Sequence, residues 1–276
     1  MDILSIIGVV MGVACVLISM ALDGGNLGSL LQLPAFVIVG GGTIGAVLLQ
    51  TPLKIFLRGL KMLLWVFLPP RDDSPELVET IMQWIRISRR QSILALDAVA
   101  DQQKDPFLRQ GLRLVVDGVE PSQIRNVMET MIMTIEHDEL LGGEIYEGMG
   151  GYAPTVGILG AVMGLITVMS HLDDPSKLGS GIATAFVATV YGVASANLLF
   201  LPIGNKLRFL ARRRARRLEM ITEGMVGMAI MEKPIQLEMR LRSYLGEGEG
   251  SSGAGAGEAD ANPRSANQEG EALEPG

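Results

Sequence analysis

The sequence is short of the residues that build enzyme and metal sites: it has 1 cysteine and 2 histidines in 276 residues. Cys15 sits inside an apolar run, so no disulfide framework can form within the chain. There is no Walker loop, no HExxH and no cysteine–histidine pairing. His137, beside Glu136, Asp138 and Glu139, reads as a polar helical turn rather than a metal site. No enzyme, metal or cofactor is expected. Charge is scarce as well. The tail from Gly246 onward holds seven acids and one base, −6 of the formal −7. A body this close to neutral gives no reason to expect a nucleic-acid partner.

What is present is apolar sequence, 48% of the chain, gathered in long blocks. Four have spanning length: about 3–22, 34–50, 152–171 and 181–204. Backbone amides in a bilayer must be satisfied internally, so the blocks are helices. The first has no basic residues ahead of it and no cleavage site, and reads as a retained span, not a signal. Lysine and arginine set the orientation. The short loops 23–33 and 172–180 carry only Lys177. Lys54, Arg58, Lys61 and Arg71 follow span two, and Lys206, Arg208 and the run Arg212–Arg217 follow span four. The short loops are therefore outside, and both termini and segment 51–151 are cytoplasmic.

The expected fold is all-α: transmembrane helices 1 and 2 in 1–50, a cytoplasmic helical domain in 51–151, helices 3 and 4 in 152–204, a basic cytoplasmic helix in 205–245, and a disordered acidic tail in 246–276. Segment 52–70 reads as an interfacial amphipathic helix, with Lys54, Arg58 and Lys61 on one face and leucines around the rest. Ser74-Pro75-Glu76 marks a helix start with Ser74 as cap. Asp105-Pro106 and Glu120-Pro121 mark two more, and Asp117-Gly118 a stop.

No span contains aspartate, glutamate, lysine or arginine. Carriers of protons or sodium need an ionisable or charged ligand in the membrane, so any titrating group must come from another chain. The spans are rich in small residues: Gly157, Gly160 and Gly164 in span three, Ala185 and Gly192 in span four, and Gly40, Gly41, Gly42 and Gly45 in span two. Such stripes let helices approach closely, either within this chain or against partner helices. Thr189 is a mid-span hydroxyl, and membrane threonines commonly bond back to their own helix. Pro154 opens span three, an ordinary place for proline. Pro202, followed by helical sequence, reads as a kink. Arg89, Arg90 and Asp97 are a solvated face or a partner contact. The Arg212–Arg217 run reads as a topology anchor at lipid headgroups.

Several motifs then converge. Gly-Tyr-Ala-Pro at 151–154, Asp173-Asp174-Pro175, Thr189-Val190-Tyr191-Gly192, Phe200-Leu201-Pro202-Ile203, and Arg89-Arg90 followed by Leu94-Ala95-Leu96-Asp97 resemble the MotA/PomA family, the A subunits of bacterial flagellar stators. The resemblance covers residues 1 to about 240. It implies a multi-pass protein of the bacterial inner membrane, in a homo-oligomeric ring, a pentamer, around a MotB-like single-span subunit anchored to peptidoglycan. An aspartate of that partner binds the ion, and ion flow turns the ring against the rotor switch protein FliG. By the same resemblance Arg89, Arg90 and Asp97 contact the rotor, Pro154 and Pro202 couple motion to ion flow, and Thr189 lines the ion path. Sodium-driven members carry threonine where this chain has Ala161, a methyl that cannot coordinate sodium, so the proton is the expected coupling ion. Sodium-type members also carry further glutamates where this chain has Ala98 and Ala100, which implies fewer rotor charges. An ExbB/TolQ-like energiser of an outer-membrane system shares the last two spans and is the alternative reading. A stand-alone transporter would need its own charged or broken-helix midplane site, and a non-conducting scaffold is the remaining reading.

Overall fold

The computed structural model describes residues 2–22, 24, 25, 27–173 and 175–246. The tail expected to be disordered and Asp174 of the outer-loop motif lie outside the described residues.

Proline punctuates the chain. Helix α1 (Ile3–Leu22) is followed by α2 (Leu33–Gln50), which begins around Pro34 and contains a π turn at Val37–Gly41. Thr51, extended because proline follows it, separates α2 from α3 (Leu53–Phe67). Next come α4 (Ser74–Gln91), a 3-10 turn at Ile93–Leu96, α5 (Asp97–Gln102) and α6 (Pro106–Val116). Helix α7 (Pro121–Met169) is 49 residues long, about 70 Å at 1.5 Å per residue. Helix α8 (Pro175–Ala194) passes through a π turn (Ser195–Phe200) straight into α9 (Leu201–Ala229), and α10 (Pro234–Gly246) ends the described chain. No strand occurs among the described residues, and four helices are long and apolar enough to cross a membrane. The all-α, four-span expectation holds.

Several boundaries differ from the sequence reading. The helix starting at Pro121 and span three are one helix, so residue 151 marks no helix end. The amphipathic stripe of the lower half and the apolar upper half share a single register, which composition alone divides in two. Span four likewise runs into the basic segment without a break, while 205–245 holds two helices, split at Met231 (φ 52), where α9 ends. Pro154 does not open a helix; it lies deep inside α7. Ser74 is the first residue of α4 rather than its cap: its amide is held by the Asp72 carboxylate (3.2 Å), and Asp73 occupies the cap position. Asp105 caps as expected, accepting from the Phe107 amide at 2.9 Å. Gly118, at φ +67, supplies the left-handed turn after α6.

Two regions result. Away from the spans, α4, α5, α6, α10 and the ends of α7 and α9 enclose one apolar core, with Ile81, Ile85, Leu112, Met128, Ile221 and Met225 among its buried side chains. Helix α3 lies between this domain and the spans. Met62 and Val66 are buried against α7, while Leu53, Leu57, Leu60 and Leu64 are exposed, as an interfacial helix requires. Gly59 and Gly142 form its crossing point with α7, beside the Tyr146 hydroxyl, which donates to the Gly59 carbonyl at 3.0 Å. Burial pushes that phenol up to about 12. In the spans, α7 and α8 form a tight hairpin flanked by α2. Helix α1 buries no residue at all and touches the rest mainly through Gly12 against Leu198 and through its first residues. Asp2 bonds the Phe67 carbonyl through its amide (3.0 Å) and pairs with Lys206 through its carboxylate. The starts of α1 and α9 and the end of α3 thus lie at one level.

Candidate ion path and rotor-facing tip

The small-residue stripes separate by role. A methyl built on Gly157 would lie 2.9 Å from the Ala188 carbonyl oxygen, one on Gly160 2.8 Å from the Ala188 Cβ, and one on Gly164 2.8 Å from the Ala185 nitrogen. On Gly192 it would meet the Ala153 carbonyl oxygen at 2.5 Å and the Pro154 Cα at 3.2 Å. These glycines therefore hold spans three and four of the same chain together. In span two the picture reverses. Only Gly42 meets a neighbour, Val156, whereas Gly40, Gly41 and Gly45 have nothing within 4 Å. Their face is open to another chain.

Ala161 and Thr189 adjoin Gly160 and Ala188, the touching pair, so they lie at one depth in the membrane. Thr189 donates to its own Ala185 carbonyl at 3.4 Å, a long bond that leaves its oxygen free to accept. The Pro154 backbone packs on Gly192. A proline there removes the amide bond to the Gly150 carbonyl. Pro202 would crowd the carbonyl of Leu198, and the π turn Ser195–Phe200 widens the helix at that residue. The expected irregularity at Pro202 is thus a π turn on its N-terminal side. Tyr191, beside Gly192, ties the hairpin to the start of α2, donating to the Leu30 carbonyl and meeting Phe36 edge-on at 6.5 Å.

Two polar groups escaped the sequence reading. Asn197 lies within the π turn of span four and is exposed, its amide donating to the Val193 carbonyl at 2.9 Å. An exposed carboxamide at membrane depth is costly unless another chain or water meets it. Thr43, in span two, is buried with no partner for its hydroxyl. Neither carries charge, so a search for ionisable residues passes over both; only the face each occupies marks it.

Arg89, Arg90 and Asp97 come together at the opposite end of the molecule. Arg89 and Arg90 close α4 and Asp97 opens α5, each charge at the helix end whose dipole favours it. All three are exposed and none forms an ion pair among the described residues. Leu94, 69% exposed, sits between them in sequence. Ser92 joins the two helices at φ 123, ψ 156, a backbone region that belongs essentially to glycine.

The basic residues after span four do something other than anchor to headgroups alone. Arg208 pairs with Glu147, Arg214 with Glu139 and Arg125 with Glu223, steps along α7 and α9. Arg213 pairs with Asp72, and Arg217 grips Asp73 at 2.6 and 2.9 Å. Arg58 on α3 pairs with Asp138. Burial lifts the Glu139 carboxyl above its ordinary value, against the pull of Arg214 and Arg58. Three arginines of the run are thus bound up in the protein: Arg214 because α9 continues beside α7, which presents Glu139 to it, and Arg213 and Arg217 because the residues before α4 bring Asp72 and Asp73 to them.

Four apolar spans put the chain in the class of multi-pass membrane subunits. Residues 99–220 match the MotA/TolQ/ExbB proton channel family, and residues 6–92 match the motility protein A N-terminal family. The second match covers spans one and two. The chain is 32% identical to motility protein A of Bacillus subtilis over 246 residues, 89% of this chain and 91% of that one. It is 27% identical to chemotaxis protein PomA of Vibrio alginolyticus over 247 residues, 90% and 96%. It is similar to a chain of the C. jejuni MotAB structure with a TM-score of 0.83 and 31% identity, covering 88% of this chain and 96% of that one. It is also similar to a chain of the flagellar MotAB stator complex of Bacillus subtilis, with a TM-score of 0.78 and 32% identity, covering 87% and 95%. The chain belongs to the motility protein A family.

Proposed function

We propose that this chain, a flagellar stator subunit with an ion-channel function, forms one wall of an ion path whose titrating carboxylate is supplied by a MotB-like companion anchored to peptidoglycan. The observation that carries this is the pairing of charge-free spans with unbroken helices that leave the membrane. The open glycine face of α2 and the exposed Asn197 are the surfaces offered to other chains, the companion span and neighbouring copies in a ring of five. Thr189 lines the path, and Ala161 leaves it without a second hydroxyl, which favours the proton over sodium. Each protonation and release on the companion shifts the Pro154–Gly192 contact and the π turn before Pro202. Helices α7 and α9, laced by the Glu147–Arg208, Glu139–Arg214 and Arg125–Glu223 pairs, carry that shift as a lever. Arg89, Arg90 and Asp97 apply it to the charged surface of the rotor switch protein FliG. The basic flanks put both termini and the domain in the cytoplasm of a bacterium, with the spans in its inner membrane. The work is mechanical, and the proposed cycle calls for neither enzyme chemistry nor a cofactor.

The test is torque. Asp97→Lys lowers the stall torque of tethered cells while leaving the subunit's membrane level unchanged, and a reversed charge on FliG restores part of it. Unchanged torque in the single variant would refute the tip assignment.

A further inference from the structure

At the level where α3 ends, the protein carries a cleft of about 390 Å³ that no step of ion passage or rotor contact uses. Four arginines, Arg71, Arg213, Arg214 and Arg217, line it with Asp72 and Asp73, and Trp65, Pro70 and Leu210 form its apolar wall. Asp72, Asp73 and Glu139 each engage one of the arginines. Arg217 also stands 3.6 Å from Asp105, so the carboxylates around the cleft match its arginines in number, but Arg71 is exposed and has no carboxylate partner among the described residues, which leaves its guanidinium open to an outside anion. Arg213 and Arg214 are each about half exposed, with side-chain values of 50% and 46%. A guanidinium has five donors, and each of these two contributes a single nitrogen to its ion pair.

Depth fixes the kind of anion. The Phe67 carbonyl accepts from the amide of Asp2, the residue before span one. Trp65 is two residues away, and the Arg214 guanidinium stands 5.9 Å from its ring. Headgroups occupy roughly 5–8 Å on each side of the hydrocarbon, so Trp65 and Arg214 fall at that level. Trp65 follows the exposed leucine face of α3, which faces acyl chains. Tryptophan favours this interface, and arginine clusters there recognise phosphate.

We propose that this cleft binds the phosphate headgroup of an anionic phospholipid of the adjoining leaflet, with Arg71, Arg213 and Arg214 as donors and Trp65 and Leu210 against the glycerol and upper acyl chain. The bound lipid competes with Asp72 for Arg213 and so acts on residues 68–73, the link between α3 and the domain. The inference rests on the membrane level of α3, not on the stator cycle.

The test uses the full-length protein purified with its companion subunit in mild detergent, titrated with acyl-labelled phosphatidylglycerol and read by anisotropy. Phosphatidylglycerol binds, and phosphatidylcholine does not displace it. Arg71→Gln weakens binding about fivefold, Arg71→Lys recovers most of that loss, and Arg212→Gln, on an exposed arginine that does not line the cleft, changes nothing. Arg71 makes no ion pair, so its loss leaves the fold intact. An unchanged affinity in Arg71→Gln, or an equal loss in Arg212→Gln, overturns the site. Displacement by inorganic phosphate at concentrations where phosphatidylcholine has no effect overturns the lipid and leaves a soluble-anion site.

Discussion

Replacing Gly192 by alanine should damage the protein more than any other single methyl added to its spans. The new Cβ would stand 2.5 Å from the Ala153 carbonyl oxygen, 3.0 Å from the Gly157 Cα and 3.2 Å from the Pro154 Cα. All three are backbone atoms, which no side-chain rotation can clear. Ordinary contact needs about 1 Å more, so α7 and α8 must separate where they are most tightly packed. Overpacking of this kind costs about 1–3 kcal/mol. At about 2–4 °C per kcal/mol for a chain of this size, the midpoint of thermal unfolding falls by about 2–12 °C. Gly45→Ala is the control. It adds the same methyl to a span at a position with nothing within 4 Å, and the isolated subunit should unfold as the parent does. The assay is size-exclusion chromatography of detergent-solubilised, fluorescently tagged subunit after heating. If Gly192→Ala unfolds within about 1 °C of Gly45→Ala, the hairpin is not held by close backbone approach, and the division between intramolecular and partner-facing glycines is wrong.

Three other outcomes are expected. Ser92→Gly relieves a conformation that costs about 1–3 kcal/mol while adding the usual entropic cost of glycine; a net gain of about 1 kcal/mol should show as a higher unfolding midpoint with stall torque unchanged. Asp73→Asn removes the charge and one of the two oxygens that accept from Arg217, whose hydrogen bonding is the main reason the Asp73 carboxyl lies below its ordinary 3.8. Because its folded value is depressed, the pair stabilises fully above that pH and fails as pH falls through the folded value. The variant should therefore lose about 1 kcal/mol at pH 7, and the gap in midpoint should close under acid below 3.8. Replacing sodium by potassium at constant pH should leave rotation speed unchanged, and a collapse in speed would remove the proton assignment built on Ala161.

The spans, the amphipathic helix α3 and the helix starts at Asp105 and Pro121 were legible because each rests on local chemistry: apolar length, amphipathic spacing, or a proline beside an acid. The junctions were not. Residues 121–169 read as a soluble helix followed by a span because composition changes midway, yet the backbone register does not. Pro154 reads as a helix start for the same reason, since only the packing of its neighbours on Gly192 reveals that the helix continues through it. That Arg213, Arg214 and Arg217 also brace the domain was not legible, because their partners Asp72, Glu139 and Asp73 lie far away in sequence. Within the candidate path, Thr189 stood out as a hydroxyl in an apolar run, while Asn197 was hidden. Its significance depends on its being exposed, and exposure is a property of the folded bundle.

The unbroken course of α7 and α9 has a further consequence. Along these two helices no loop lies between bilayer and domain, so residue count sets the angular bearing of the tip relative to the spans. Each residue added between positions 121 and 150 turns everything beyond it by about 100° and advances it by about 1.5 Å. A one-residue insertion would aim Arg89 and Asp97 away from the rotor surface proposed for them, whereas seven residues, close to two whole turns, would nearly restore their bearing. Length in this segment is therefore quantised, and the gearing between membrane and rotor is written as a number of amino acids.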